Sequence, residues 1–174
     1  MIVGLVGFAK SGKDTAAANM PGFTRFAFAD PLKRDIQFLL DRVDRDINHP
    51  ETKEFVRPLL VEWGRTARKF DPLFWVKRTM DRMLGYVEER HRINGGGFDN
   101  IVLTDVRYKN EYEAIEDAGG RCLYIERTGV GPANEEEEKS IEEILFLYNI
   151  PTIHNGGTPE ELGKKILHEL EVGL

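Results

Sequence analysis

The feature that most constrains this chain is the motif Gly7-x-x-x-x-Gly12-Lys13, which follows an apolar run at residues 2–6. The apolar run is typical of a buried strand, and residues 15–18 (Thr-Ala-Ala-Ala) favour a helix. A strand, a glycine-containing loop and a helix in this order are the context of a phosphate-binding P-loop. Successive backbone N–H groups of such a turn can point at a polyphosphate, to which the lysine adds a positive charge. The motif therefore predicts a nucleoside triphosphate site at residues 7–15, which we call the phosphate loop. The alternative is a glycine-rich turn that binds nothing.

The residue after the lysine departs from the P-loop pattern. Serine or threonine is expected there as a Mg²⁺ ligand, whereas this sequence has Asp14 followed by Thr15. Magnesium prefers oxygen ligands, so both are predicted to bind Mg²⁺, partly through water, and Thr15 could also bond the α-phosphate. The predicted ATP-binding residues are Gly7, Lys10, Ser11, Gly12, Lys13, Asp14 and Thr15.

Apolar runs and helical patterns alternate along the chain, which indicates an α/β fold with a mainly parallel sheet. The five predicted strands lie at residues 2–6, 23–28, 100–104, 121–126 and 152–154. Beyond the helix after the phosphate loop, helices are predicted at about residues 31–43, 56–69, 73–90, 108–118, 140–148 and 159–170, and loops at 44–54, 95–97 and 128–139. Asp30 is the predicted N-cap of the helix at 31–43, Pro58 is expected in the opening turn of the next helix, and Thr158-Pro159-Glu160-Glu161 predicts a capping box.

Composition and charge exclude several classes of protein. The chain has 174 residues, of which 41% are hydrophobic and 31% charged, as in a soluble globular domain. The net charge of −6 argues against a broad surface for a nucleic acid polymer. We find neither an apolar stretch of about 18 residues nor a signal peptide, so a cytoplasmic protein without a membrane partner is expected. The single cysteine, Cys122, cannot form an intramolecular disulfide and is expected to be buried.

Several segments resemble the bacteriophage-type deoxynucleoside monophosphate kinases, members of the P-loop nucleoside monophosphate kinase family. They are Gly12-Lys13-Asp14-Thr15, Phe28-Ala29-Asp30-Pro31-Leu32-Lys33, Trp63-Gly64-Arg65-Thr66-Ala67-Arg68 with Phe74-Trp75-Val76, Thr104-Asp105-Val106-Arg107-Tyr108-Lys109-Asn110-Glu111, and Asn155-Gly156-Gly157-Thr158-Pro159-Glu160-Glu161-Leu162. The resemblance implies Mg²⁺-dependent transfer of a phosphoryl group from ATP to a deoxynucleoside monophosphate, giving the diphosphate and ADP. The family's His-x-Ser-Glu patch is not matched, since the corresponding region reads Lys139-Ser140-Ile141-Glu142-Glu143.

The family fold implies one P-loop kinase domain over residues 1–174, with a five-stranded parallel sheet flanked by helices. Its core is expected at residues 1–30 and 98–174, with a helical insertion that binds the acceptor monophosphate at 31–97. A lid is expected at about residues 128–139, where the acidic run Glu135–Glu138 is predicted to be a solvated loop face.

Such a kinase needs cations that hold the acceptor phosphate in line with the γ-phosphate. Arg107 is the strongest candidate, because it follows the third predicted strand and ligands of open α/β sheets bind at the carboxyl ends of strands. The predicted catalytic residues are Lys13, Arg107 and Arg127. The predicted acceptor-binding residues are Lys33, Arg65, Arg68, Trp75, Asp105 and Arg107. Ion pairs at the surface are the alternative for the charged residues. Trp75 could stack on the base, and a place in the core is its alternative.

Two other functions stay open at this point. A kinase of another small phosphorylated metabolite, such as phosphomevalonate or dephospho-coenzyme A, would share the phosphate loop. A nucleotide-dependent switch would instead need a segment that orders around the γ-phosphate. The tryptophan-containing insertion favours a nucleotide acceptor, and a homodimer is compatible with the sequence.

Overall fold

A computed structural model describes residues 1–95 and 99–172 of the chain. Of the predicted Gly95-Gly96-Gly97 loop, Gly96 and Gly97 therefore lie outside the described residues. The chain divides into two compact units. We call residues 1–27 with 90–174 the core unit, and residues 28–89 the helical unit.

The core unit contains a five-stranded sheet in which all strand pairs are parallel. Its strands are β1 (Ile2–Val6), β2 (Phe23–Phe26), β3 (Asn100–Val106), β4 (Arg121–Glu126) and β5 (Thr152–His154). They are arranged in the order β2-β3-β1-β4-β5, so β1 lies at the centre. The predicted α/β fold with a parallel sheet is confirmed.

Seven α-helices are described along the chain. They are α1 (Lys13–Ala18), α2 (Ala29–Leu40), α3 (Pro50–Phe70), α4 (Phe74–Asn94), α5 (Lys109–Asp117), α6 (Glu135–Leu147) and α7 (Pro159–Val172), and a 3₁₀ turn at Asp41–Val43 follows α2. Apolar residues of α1 and α7 pack with those of the sheet into one buried cluster, whose burial is the main favourable term in folding the core unit. Cys122 is buried as predicted.

Two predicted helix starts in the helical unit were wrong. Helix α2 begins at Ala29, so Asp30 lies in its first turn instead of capping it, where its carboxylate is 3.7 Å from Arg82 Nη1. Helix α3 begins at Pro50, inside the predicted loop at 44–54, because proline's fixed φ suits the first position of a helix. Pro58 therefore lies inside α3, where it leaves one backbone carbonyl without its helical hydrogen bond.

Helix α6 begins five residues before the predicted helix at 140–148, so the expected loop at 128–139 ends at Asn134. Asn134 is the N-cap, and its Oδ1 accepts a hydrogen bond from the Glu137 backbone N–H (2.9 Å). Four acidic residues in the first turn are also favourable beside the positive end of the helix dipole. At α7 the predicted capping box is confirmed, since Glu161 N–H donates to Thr158 Oγ1 and Thr158 N–H to Glu161 Oε2.

Among the described residues, no helix is both long enough and apolar enough to cross a membrane.

Candidate active site

The loop between β1 and α1 has a backbone that only glycine adopts easily at its two ends. Gly12, the N-cap of α1, has φ 103°, and Gly7 has φ 150°. A Cβ atom on Gly7 would also lie 2.7 Å from the Ile125 carbonyl oxygen. The loop follows the central strand at the carboxyl edge of the sheet, where open α/β folds bind ligands.

Lys13 is the first residue of α1, and its buried side chain reaches back into this loop. Its ammonium donates hydrogen bonds to the carbonyl oxygens of Gly7 (2.5 Å) and Phe8 (2.7 Å), and to Ser11 Oγ (3.3 Å). Burial, and next the charge of Arg107, lower the pKa of Lys13 to about 8, although three nearby carboxylates oppose this shift. These carboxylates belong to Glu137, Asp105 and Asp14. A cationic pair surrounded by acidic residues therefore lies at the loop.

Asp14 and Thr15 follow Lys13 in the first turn of α1, and their side chains are exposed. Asp14 Oδ1 accepts a hydrogen bond from Thr104 Oγ1 on β3 (2.7 Å) and lies 3.4 Å from Arg25 Nη2. These hard oxygen donors fit Mg²⁺, which commonly takes one or two protein ligands and completes its shell with phosphate and water.

Arg107 follows β3, which extends to Val106 and therefore includes Asp105. The backbone N–H of Arg107 donates to Glu111 Oε2 (2.8 Å), and its Nη1 is 3.4 Å from Glu137 Oε1. Asp105 and Arg107 are both half-buried. The structure thus brings three predicted site residues, Lys13, Asp105 and Arg107, close enough for their charges to interact.

Glu137 is a site residue that the sequence analysis missed. The prediction that the whole run Glu135–Glu138 is solvated was wrong here, because Glu137 is buried. Its carboxylate accepts hydrogen bonds from the backbone N–H groups of Ala9 in the phosphate loop (3.1 Å) and Ala133 before α6 (2.7 Å). A signal existed in the sequence, since an asparagine three residues before a glutamate is typical of a helix start.

Asn155, after β5, is a second residue that was not singled out for the site. Its Nδ2 donates to the Ser11 carbonyl oxygen (2.8 Å), and its backbone N–H donates to the Glu126 carbonyl oxygen (2.7 Å). The phosphate loop is therefore held from the β5 side by a side-chain amide.

The other predicted residues differ in their exposure. Lys10 is exposed within the loop, with a positive φ of 67°, and Arg127 is exposed just after β4. In the helical unit Lys33 and Arg68 are half-buried, whereas Arg65 is exposed and its Nη1 lies 3.5 Å from Glu62 Oε2.

Trp75 is a core residue of the helical unit. Only 4% of its surface is exposed, and its Nε1–H donates to the Gly64 carbonyl oxygen (3.0 Å). Its ring packs edge-on against Phe74 and Trp63, with centroid distances of 4.8 and 6.3 Å. This burial favours the structural alternative over stacking on a base.

The helical unit contains a cavity of about 740 Å³. Its lining combines apolar side chains with two arginines and one aspartate; the residues are Arg34, Asp35, Ile36, Phe38, Leu39, Leu59, Trp63 and Arg78. Asp35 is held by both ends of the Arg78 guanidinium (2.6 and 2.9 Å) and by Trp63 Nε1–H (3.2 Å). Partial burial raises the pKa of Asp35, but these hydrogen bonds outweigh it and hold the pKa below its ordinary value.

Three arginines of the helical unit lie close enough for their positive charges to interact. Partial burial lowers the pKa of Arg34, and the neighbouring guanidinium groups of Arg82 and Arg78 lower it further. Asp30 and Asp35 oppose this shift. A group of three arginines beside an apolar cavity is chemically suited to a ligand that has both an anionic and an apolar part.

No protein-family model matches the chain. A protein of Acanthamoeba polyphaga mimivirus with the provisional name deoxynucleotide monophosphate kinase is 28% identical over 187 residues, which cover 96% of this chain and 94% of that protein. Two uncharacterised proteins of Ictalurid herpesvirus 1 (strain Auburn) are also similar. ORF77 is 28% identical over 68% of this chain and ORF76 is 27% identical over 82%. The matches span about half the length of each herpesvirus protein, 50% and 54%.

Among solved structures, a sugar kinase from Janibacter sp. HTCC2649 aligns with 98% of this chain and 94% of its own, at 13% identity and a TM-score of 0.44. That similarity is too low to assign a fold or an activity.

Proposed function

We propose that this protein is a P-loop kinase that transfers the γ-phosphoryl group of ATP to a deoxynucleoside 5′-monophosphate. The observation that carries the proposal is the buried Lys13 ammonium inside a glycine-bounded turn after the central strand, with Arg107 beside it. Lys13 and Arg107 repel one another, three carboxylates offset part of this repulsion, and an anionic ligand would stabilise the pair further.

On the donor side, the loop backbone and Lys13 would bind the triphosphate. The ammonium is now bonded to two loop carbonyls and one hydroxyl, and phosphate oxygens would replace some of these acceptors. Lys13 and Arg107 would then offset the charge on the phosphoryl oxygens as the bond to the leaving group weakens. Positioning and charge stabilisation account for most of the catalysis in such transfers.

Mg²⁺ would be held by Asp14 and Thr15, together with phosphate oxygens and water. The Thr104 hydroxyl fixes Asp14 Oδ1, so one carboxylate oxygen is oriented by β3 before any ligand arrives. The ion supplies further positive charge to the phosphates when it is bound.

On the acceptor side, the cavity of the helical unit supports a nucleotide. Its apolar lining suits a base, Asp35 offers a fixed acceptor to base or sugar donors, and the cluster of Arg34, Arg78 and Arg82 suits a monophosphate. The similarity to the mimivirus protein named as a deoxynucleotide monophosphate kinase supports the same acceptor class.

The proposal is tested by measuring ADP release with ATP, Mg²⁺ and a panel of deoxy- and ribonucleoside monophosphates. We expect turnover of at least one deoxynucleoside monophosphate, and loss of this turnover in Lys13→Ala. Lys164→Ala is the control, because Lys164 is an exposed lysine on α7 that has no place in the predicted site, and its loss should leave turnover nearly unchanged. No turnover with any monophosphate would refute the acceptor assignment, and equal turnover of the ribose forms would remove the deoxy preference.

A further inference from the structure

Glu137 differs from its neighbours in the acidic run 135–138, because it is buried whereas Glu135 and Glu136 are exposed. Its Oε1 accepts a hydrogen bond from Ala9 N–H (3.1 Å) and lies 3.4 Å from Arg107 Nη1. Its Oε2 accepts from Ala133 N–H (2.7 Å). One carboxylate therefore connects the phosphate loop, the residue after β3 and the segment before α6.

The position of this carboxylate is fixed from several sides. The Glu137 backbone lies in the first turn of α6, where the Asn134 side chain caps it (2.9 Å). Both carboxylate oxygens have donors, and the charge of Arg107 offsets the cost of burying an anion. A side chain with these constraints has little freedom to rotate.

Arg107, by contrast, has a long side chain that is 43% exposed. A half-buried arginine can still sample several rotamers unless a partner holds it, and a catalytic group is most effective when it is oriented before the substrate binds. Glu137 engages Arg107 through Nη1. Arg107 Nε is buried and has no hydrogen-bond partner among the described residues, so a phosphate would meet the terminal nitrogens of the guanidinium.

We infer that Glu137 is a positioning residue, which holds the Arg107 guanidinium beside the phosphate loop in the orientation that phosphoryl transfer requires. The inference rests on the proposed function to the extent that a triphosphate must bind in the loop. It does not depend on the identity of the acceptor.

The test is a double-mutant cycle with Glu137→Gln, Arg107→Ala and the double variant. Glutamine keeps the length of the side chain, but it loses the charge and replaces one acceptor oxygen with a donor. The readouts are the single-turnover hydrolysis of ATP to ADP and phosphate without any acceptor, and the dissociation constant for Mg·ATP. Glu135→Gln is the matched control, because it makes the same chemical change in the same helical turn at a side chain that is 89% exposed.

We expect Glu137→Gln to slow hydrolysis by at least about tenfold while the dissociation constant for ATP changes by less than about threefold. In the Arg107→Ala background, Glu137→Gln should change the rate by less than about twofold, because the residue it orients is gone. Glu135→Gln should match the wild type. Glu137→Asp keeps the charge but shortens the side chain, so it should lower the hydrolysis rate less than Glu137→Gln does. This loss should also disappear in the Arg107→Ala background. Thermal unfolding of each variant checks that it folds.

An equal loss of rate in both backgrounds would overturn the inference, since Glu137 would then act on folding or on the loop alone. Tighter ATP binding with an unchanged rate would also overturn it, because the carboxylate would then compete with phosphate for the same donors. If no monophosphate is turned over, the acceptor proposal fails, but the double-mutant cycle can still be measured because ATP hydrolysis needs no acceptor. A wild-type protein that neither binds nor hydrolyses ATP would refute both.

Discussion

The phosphate loop and the cavity of the helical unit are built in different ways. In the loop, backbone groups make most of the contacts: carbonyl oxygens of Gly7 and Phe8 hold Lys13, and the Ala9 N–H meets Glu137. In the cavity, side chains from separate helices hold one another, as Asp35, Trp63 and Arg78 do. A site made of backbone depends on a short run of residues, whereas a site made of side chains depends on how helices pack.

Four substitutions or conditions test this difference, and the replacement of Arg107 is expected to have the largest effect. Replacing it with alanine should lower kcat by about 100-fold, since a charge-stabilising group of the transition state is removed, and should change ATP affinity by less than about threefold. Steady-state kinetics with calorimetric ATP titration measures both quantities. Lys109→Ala is the control, because this neighbouring cation pairs with Glu113 on the helix surface. Loss of ATP binding in Arg107→Ala would mean that Arg107 belongs to the donor site alone.

The second prediction concerns the charge on Lys13, whose pKa in the ligand-free protein is about 8. Its ammonium is mostly protonated at pH 7 and mostly neutral at pH 9, so ATP should bind about tenfold more weakly at pH 9. Because the pKa of Lys13 is lowered, its ammonium loses its positive charge between pH 7 and pH 9, a range in which an ordinary lysine stays charged. Titrations of ATP binding from pH 7 to pH 9 measure the effect, and Lys13→Arg should abolish it. A flat profile in the wild type would contradict a lowered pKa at a Lys13 that binds the phosphates.

The third prediction concerns the cavity. Asp35→Asn should raise the acceptor KM by about fivefold, because Arg78 and Trp63 lose their charged partner, and should leave the KM for ATP unchanged. Asp41→Asn is the control, since Asp41 accepts a hydrogen bond from Gln37 at the exposed end of α2. An equal rise in both KM values would show that the two regions do not bind separate substrates.

The smallest effect is expected at Asn155. Asn155→Ala removes the hydrogen bond to the Ser11 carbonyl and should weaken ATP binding by about threefold, with about 1 kcal/mol lost from the free energy of unfolding. Calorimetry and denaturant unfolding measure these two changes. Asn48→Ala, in a surface turn of the helical unit, should leave ATP binding unaltered. Unchanged binding in Asn155→Ala would show that the loop backbone keeps its shape without this brace.

The same difference explains what could be predicted from the sequence. The phosphate loop leaves a local signature, because its glycines and lysine must stand at fixed spacing, and the five strands leave apolar runs between turn signals. The cavity leaves none, since Arg34, Trp63 and Arg78 are brought together only by the packing of α2, α3 and α4. Trp75 shows that a residue's type does not by itself predict its role. A tryptophan in the insertion suggested stacking on a base, but tertiary contacts bury its ring.

Glu137 illustrates a second reason for failure. Four consecutive glutamates indicate a solvated surface, and burial of one of them depends on donors from Ala9, Ala133 and Arg107, two of which are distant in the sequence. The N-cap at Asn134 could be predicted from the sequence, and it would have placed Glu137 in the first turn of a helix. It would not have indicated which side chain of that turn faces the phosphate loop.

A structure determined with Mg²⁺ and a non-hydrolysable ATP analogue would show whether Lys13 and the turn around it bind a triphosphate. We expect the β- and γ-phosphates within hydrogen-bonding distance of Lys13 Nζ and of backbone N–H groups of residues 7–15. A nucleotide bound elsewhere, with Lys13 still bonded to the carbonyl oxygens of Gly7 and Phe8, would contradict it.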